Sequence, residues 1–255
     1  MTYMTNEKPR RGIYLLPNLF TTAALFCGFY AIVSSINGKF EVAAIAIFVA
    51  MLLDGIDGRV ARLTNTESAF GAEFDSLADM VSFGLAPALM IYLWTLSELG
   101  KIGWLVSFVY VACAALRLAR FNTQASHSDK RFFQGLASPS AAAIVAGLIW
   151  NGAIIKEYLS APALEIVALI LTLSAGLLMV SNVRYHSFKG INWRSKVPFV
   201  TILMLVFVLV FVSAAPALVL FGIFLLYALS GPVFTLVMIR RHRAERALSK
   251  QDKVD

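Results

Sequence analysis

Charge is scarce in this chain. Asp, Glu, Lys and Arg make up 15% of its 255 residues, while 59% are hydrophobic. That balance excludes an ordinary water-soluble domain. Cysteine is almost missing: Cys27 and Cys113 both fall inside apolar sequence, and no metal-type cysteine spacing occurs. A disulfide scaffold and a zinc or iron–sulfur site are thereby excluded, and packing is the role expected of both thiols. The three histidines, His127, His186 and His242, lie in polar connections or the tail, where they are expected to be solvated. Internal repeats of the kind that mark many transporters are lacking. The first apolar run is too long for a signal-peptide core and ends without a small-residue cleavage pattern, so it is expected to remain as a span.

What is present is a succession of apolar runs of roughly 18–22 residues, each able to cross a hydrocarbon core about 30 Å thick. Eight can be drawn, at about 15–36, 41–58, 74–96, 102–119, 137–155, 162–182, 197–214 and 217–239. The fold class predicted is all-α: a polytopic membrane helix bundle of about eight transmembrane helices. Residues 1–14 would form a cytoplasmic N-terminal segment, 15–239 one membrane domain, and 240–255 a basic cytoplasmic tail that frays. With both termini cytoplasmic, 19 of the 22 Lys and Arg residues fall on the cytoplasmic side and only Lys39, Lys101 and Lys156 opposite. This is a strong positive-inside bias. The net charge of +7 is therefore a topology signal and a face toward anionic lipid, with no motif for nucleic acid. Trp193, in a basic loop at 183–196, suits the membrane interface.

Against this background the stretch LLDGIDGRVARLTNTESAFGAEFDSLADM, residues 52–80, is anomalous. Asp54 and Asp57 are three apart and Asp75 and Asp79 four apart, so each pair shares a helix face. The second span ends in the first pair and the third begins with the second. An antiparallel packing of the two brings all four carboxylates to one level, Asp54 opposite Asp79 and Asp57 opposite Asp75. Unpaired carboxylates at such a depth repel one another and lose hydration. Arg59 and Arg62 offset part of the charge. The remainder, in an all-oxygen set without His or Cys, suits Mg²⁺, Mn²⁺ or Ca²⁺ better than zinc. Gly55, Gly58, Ala61 and Gly71 strip side chains from the adjacent face, which leaves room for a phosphorylated ligand. Close helix packing through small residues also accounts for the glycines, though not for the acids. An ion-coupled transporter would place such acids near the midplane rather than at one membrane edge.

The pattern Asp-x-x-Asp-Gly-x-x-Ala-Arg, eight residues, Gly-x-x-x-Asp-x-x-x-Asp reads here as Asp54, Asp57, Gly58, Ala61, Arg62, Gly71, Asp75 and Asp79. It resembles the signature of the CDP-alcohol phosphatidyltransferases. The stretches at 15–32, 115–122 and 132–143 are similar to those of the serine-using bacterial branch of that family, except that Ala137 stands where Pro is common. The resemblance implies a six-helix catalytic core, usually homodimeric, in a bacterial inner membrane with its active site facing the cytoplasm. It implies transfer of a phosphatidyl group from CDP-diacylglycerol to L-serine with release of CMP. It also implies two divalent cations, Mg²⁺ or Mn²⁺, one held by Asp54, Asp57 and Asp75 and the other by Asp54, Asp75 and Asp79. Asp79 would be the catalytic base. Gly58, Ala61, Arg62 and Gly71 would bind the cytidine diphosphate, with Arg62 on phosphate, and Asn18 and Thr21 are nucleotide candidates. Arg117, Arg120 and Asn122 are candidates for the acceptor, because a guanidinium fork suits the serine carboxylate. Snorkelling to headgroups is the competing role for the two arginines. Glycerol 3-phosphate and inositol phosphate stay open as acceptors on charge alone. Gly84 and Pro87 are expected to bend the third span.

Overall fold

The computed structural model describes residues 15–64, 68–124, 132–186 and 199–251. His127, Trp193 and the N-terminal segment lie outside these residues. Helices form at all eight predicted runs: α1 (Leu15–Ile36), α2 (Phe40–Thr64), α3 (Ala69–Asp79) with α4 (Ala86–Trp94), α5 (Lys101–Gln124), α6 (Ser138–Trp150) with α7 (Gly152–Tyr158), α8 (Ala161–Val180), α9 (Phe199–Ala214) and α10 (Pro216–Gln251). A short antiparallel ribbon, β1 (Phe132–Gln134) with β2 (Arg184–His186), interrupts the helical order and pairs Phe133 with Tyr185.

The protein is a multi-pass membrane bundle, and its surface shows why. Leu19, Phe26, Phe29, Leu105, Phe108 and Phe211 are all at least 46% exposed, an apolar exterior that water would not tolerate but lipid does. Among the described residues five helices are long and apolar enough to cross a membrane, Asn18–Ile36, Ala69–Trp94, Lys101–Thr123, Ala161–Val180 and Pro216–Thr235. The α6–α7 pair makes a sixth if its 60° bend is counted as one broken span. The expected number was about eight, and two runs differ for physical reasons. The 25-residue α2 is long enough, but carries Glu41, Asp54, Asp57, Arg59 and Arg62. The 16-residue α9 is apolar throughout but reaches only about 24 Å.

Small residues build the interior. Ala141, Ala142, Ala143, Ala146 and Val145 of α6 are completely buried, as are Ala43, Ala44 and Ala50 of α2. Such side chains let helices approach closely, and α6 accordingly packs against α2, α4, α8 and α10. At Gly28 the approach is extreme: a Cβ there would lie 2.7 Å from the Cα of Ser82. Ser82 in turn donates to the Ala24 carbonyl at 3.1 Å, which fixes α1 against the third span.

That third span does not bend sharply at Gly84 and Pro87. It runs from Ala69 to Trp94 as one span through a π-helical turn at Met80–Leu85, in which the Ala86 amide donates to the Val81 carbonyl. Pro87 has no N–H to offer the Phe83 carbonyl four residues back, and a widened turn relieves the ring's clash with it. The Tyr110 hydroxyl of α5 donates to that carbonyl at 3.1 Å. The polar tail also departs from expectation, since α10 continues unbroken to Gln251. Its sequence after Arg240 holds Ala, Arg, Glu, Leu, Lys and Gln with neither Gly nor Pro, a composition that favours helix.

Candidate functional site

Two of the four motif aspartates come from the last turns of α2 and two from α3. Helix α2 stays continuous through Gly55 and Gly58 and packs against α1 and α6. Helix α3 starts at Ser68, whose hydroxyl caps it by accepting from the Gly71 amide at 3.0 Å. The two helices do not close on each other. Helix α1 packs against both, and the carboxylates meet across the gap that remains.

One oxygen each from Asp54, Asp57 and Asp75 lies within 4.8 Å of the others. Ligands on opposite sides of an ion stand twice the metal–oxygen distance apart, about 4.2 Å for Mg²⁺ and up to about 5 Å for Ca²⁺. The trio as it stands is within the span of the larger of these ions and slightly wide for Mg²⁺, and its all-oxygen donors suit a hard divalent cation. Asp79 stands outside the trio, one helical turn on from Asp75, with Asp54 as its carboxylate neighbour. The expected facing of Asp54 with Asp79 is thus present. Asp57, 5% exposed, accepts a hydrogen bond of 2.8 Å from the Thr21 hydroxyl of α1.

Beside the acids is an open cavity of about 260 Å³, lined by Asn18, Thr21, Asp57, Gly58, Ala61, Arg62, Ser68, Gly71, Ala72 and Asp75. Every residue predicted for the nucleotide lines it. Gly58 helps keep it open: only the tip of Arg62 lies within 4 Å of where a Cβ would be, at 3.9 Å, and around Gly55, outside the cavity lining, nothing does. The bare face is thus not spent on helix packing.

The acceptor candidates separate. Arg117 turns inward, with Asp79, Tyr227, Asp54 and Tyr110 as its charged or ionisable neighbours. Its Nη1 donates to Ser138 Oγ at 2.8 Å, and its Nε is buried without a hydrogen-bond partner among the described residues. Arg120 donates through Nη2 to Gln134 Oε1 and, at 2.9 Å, to Asn182 Oδ1. Both guanidinium groups bond to side chains of the chain itself. Asn122 bridges to α3 instead, its amide donating to Ser76 Oγ at 3.1 Å and its carbonyl accepting from that hydroxyl at 3.2 Å. It thereby braces the residue next to Asp75.

Several participants were not singled out from sequence. Ser68 had a local signal, a capping residue three before Gly71 at a helix start. Ser138, Tyr110 and Tyr227 had none, because only the tertiary fold brings them to Arg117.

Comparison with known proteins agrees with this geometry. Residues 14–180 match the model of the CDP-alcohol phosphatidyltransferase family. A CDP-diacylglycerol–serine O-phosphatidyltransferase of Helicobacter pylori is 42% identical over 235 residues, covering 91% of this chain and 96% of that protein. The protein of the same name from Mycobacterium tuberculosis is 40% identical over 148 residues, covering 55% of this chain and 51% of its own. The archaetidylserine synthase of Methanothermobacter thermautotrophicus is 32% identical over 191 residues, 74% of this chain and 77% of that one. The chain belongs to the CDP-alcohol phosphatidyltransferase family.

Proposed function

We propose that this protein transfers the phosphatidyl group of CDP-diacylglycerol to the hydroxyl of L-serine, giving phosphatidylserine and CMP. The observation that carries the reaction class is the cavity that joins Arg62 and the bare Gly58–Gly71 surface to Asp57 and Asp75. The choice of serine rests on the relatives that share the chain over most of its length.

In this scheme the cytidine diphosphate occupies the cavity, with its phosphates at Arg62. Asp54, Asp57 and Asp75 hold one divalent cation and Asp54, Asp75 and Asp79 a second, Mg²⁺ or Mn²⁺. When bound, such ions offset the charge of the diphosphate and steady its oxygens. Asp79 takes the proton from the serine hydroxyl. The serine oxygen forms its bond to the phosphorus that carries diacylglycerol, the bond from that same phosphorus to the bridging oxygen breaks, and CMP leaves with that oxygen and the electron pair as a phosphate that needs no proton. Arg117 faces Asp79 and holds the serine carboxylate, which sets the hydroxyl beside its base. Arg120 supports the same side of the site. The positive-inside distribution supports a cytoplasmic face for this chemistry, and the family resemblance supports a bacterial inner membrane and a homodimeric working unit.

The test is incorporation of labelled serine into extractable lipid by the purified protein in detergent. Label should enter lipid only with CDP-diacylglycerol present, with one CMP released per serine incorporated. CMP release without lipid-bound serine would show that a different acceptor is used.

A further inference from the structure

The two arginines assigned to the acceptor are held by side chains at and beside the ribbon, one of which, Asn182, lies beyond the matched family segment. Arg120 bonds to Gln134, at the end of β1, and to Asn182, just before β2. Arg117 bonds to Ser138, four residues past Gln134. The backbone between is tied down as well. The Gly135 amide donates to the Val183 carbonyl and the Leu136 amide to the Leu178 carbonyl, both at 2.9 Å. Gly135 has φ of 79°, and a Cβ there would lie 2.2 Å from the Met179 carbonyl oxygen, so only glycine fits this turn. The ribbon is thus the seat on which both guanidinium groups rest.

The ribbon is itself locked to α10 through one side chain. Tyr185 is 1% exposed, and its ring packs against Tyr227 with centroids 5.3 Å apart. Its hydroxyl donates to the Ala228 carbonyl at 3.0 Å. That carbonyl is the one Pro232, four residues on, leaves without its helical donor. The adjacent Gly231 leaves the hollow for the ring: a Cβ there would lie 2.4 Å from Tyr185 Cε1 and Cζ and 2.8 Å from Val183 Cγ1. Gly and Pro in the middle of an apolar helix are unfavourable unless something uses them. Here the pair makes a socket, and Tyr185 fills it with both its ring and its hydroxyl.

We infer that Tyr185, latched into the Gly231–Pro232 socket of α10, is a positioning residue that sets Arg120 and, through Ser138, Arg117 for the acceptor. The inference rests on the assignment of these arginines to serine. The latch makes the C-terminal helices part of the acceptor side of the site, while the cavity between α1, α2 and α3 stands apart from it.

The experiment uses the full chain and measures KM for serine and for CDP-diacylglycerol separately. Gly231→Ala is the main perturbation. Alanine is the better helix former, so α10 itself is not weakened, and the added methyl displaces only the Tyr185 ring and Val183. Serine KM should rise about fivefold or more while the KM for CDP-diacylglycerol stays within about twofold. Tyr185→Phe keeps the ring and loses the hydroxyl bond; it should move serine KM in the same direction by a smaller factor. In an Arg120→Ala background the effect of Gly231→Ala on serine KM should shrink to the share that runs through Arg117, so the two changes are less than additive. A general weakening of the fold would instead lower active enzyme without changing either KM. An unchanged serine KM in Gly231→Ala, an equal rise in both KM values, or full additivity with Arg120→Ala would overturn the positioning role. If Arg117→Ala and Arg120→Ala themselves leave serine KM unchanged, the acceptor assignment fails first and takes the inference with it.

Discussion

Thr21→Val isolates the support of the metal site from the site itself. Valine has the shape of threonine without the hydroxyl, so the α1–α2 contact is kept while Asp57 loses the donor 2.8 Å from its Oδ2. Asp57 is 5% exposed, so water cannot easily replace that donor. A hydrogen bond to a charged group contributes about 1.5–3 kcal/mol. At about 1.4 kcal/mol per tenfold, its loss corresponds to one to two orders of magnitude in affinity. Partners that orient metal ligands have effects of the same size, about 10–100-fold. CMP release would be measured against Mn²⁺ and Mg²⁺ concentration at saturating CDP-diacylglycerol and serine. The half-saturating metal concentration should rise about tenfold or more, with Thr21→Ser restoring most of it. A metal curve identical to that of the unaltered protein would refute the reasoning, for it would mean that Asp57 either holds no ion or is oriented by something other than Thr21.

Other substitutions read different parts of the site. Asp79→Asn should abolish most turnover while CDP-diacylglycerol still binds, checked by single-turnover CMP release alongside a direct binding isotherm; near-normal rates at saturating serine would remove Asp79 as the base. Arg62→Ala should weaken CDP-diacylglycerol binding by about 1.5–3 kcal/mol, read as its Kd, with little change in serine KM. Gly58→Leu should fill the cavity and block the donor without unfolding α2, since no neighbour other than Arg62 lies within 4 Å of its Cβ position; circular dichroism and binding together check this. Metal stripping followed by excess EDTA should end turnover, and restoring Mn²⁺ or Mg²⁺ should return it.

The sequence disclosed the site more completely than the bundle around it. The four aspartates are legible because carboxylates in apolar sequence are costly and helix periodicity decides which of them share a face. The open surface at Gly55 and Gly58 is legible for a similar reason, since glycine inside a helix needs a use. The supporting residues are different. Nothing local to Thr21 says that it bonds Asp57, because the two are 36 residues apart and meet only when α1 crosses α2. Arg117 looked equally suited to headgroups, and only the path of α6 brings Ser138 to it. Pro87 was read as a bend, but its effect is absorbed by a π-helical turn with Tyr110 donating to the freed carbonyl, a tertiary solution that no local pattern encodes. The expectation of a polytopic helix bundle holds, while α2 and α9 fall outside the spans long and apolar enough by themselves, α2 because it carries charge and α9 because 16 residues of it are described.

The most direct test of the central claim is an acceptor panel. Purified protein with CDP-diacylglycerol and Mn²⁺ would be offered serine, glycerol 3-phosphate, inositol and inositol phosphate in parallel, and the lipid product identified by mass. Serine should give phosphatidylserine with stoichiometric CMP, and the others no lipid product. A lipid formed from one of the phosphorylated acceptors, with none from serine, would contradict it.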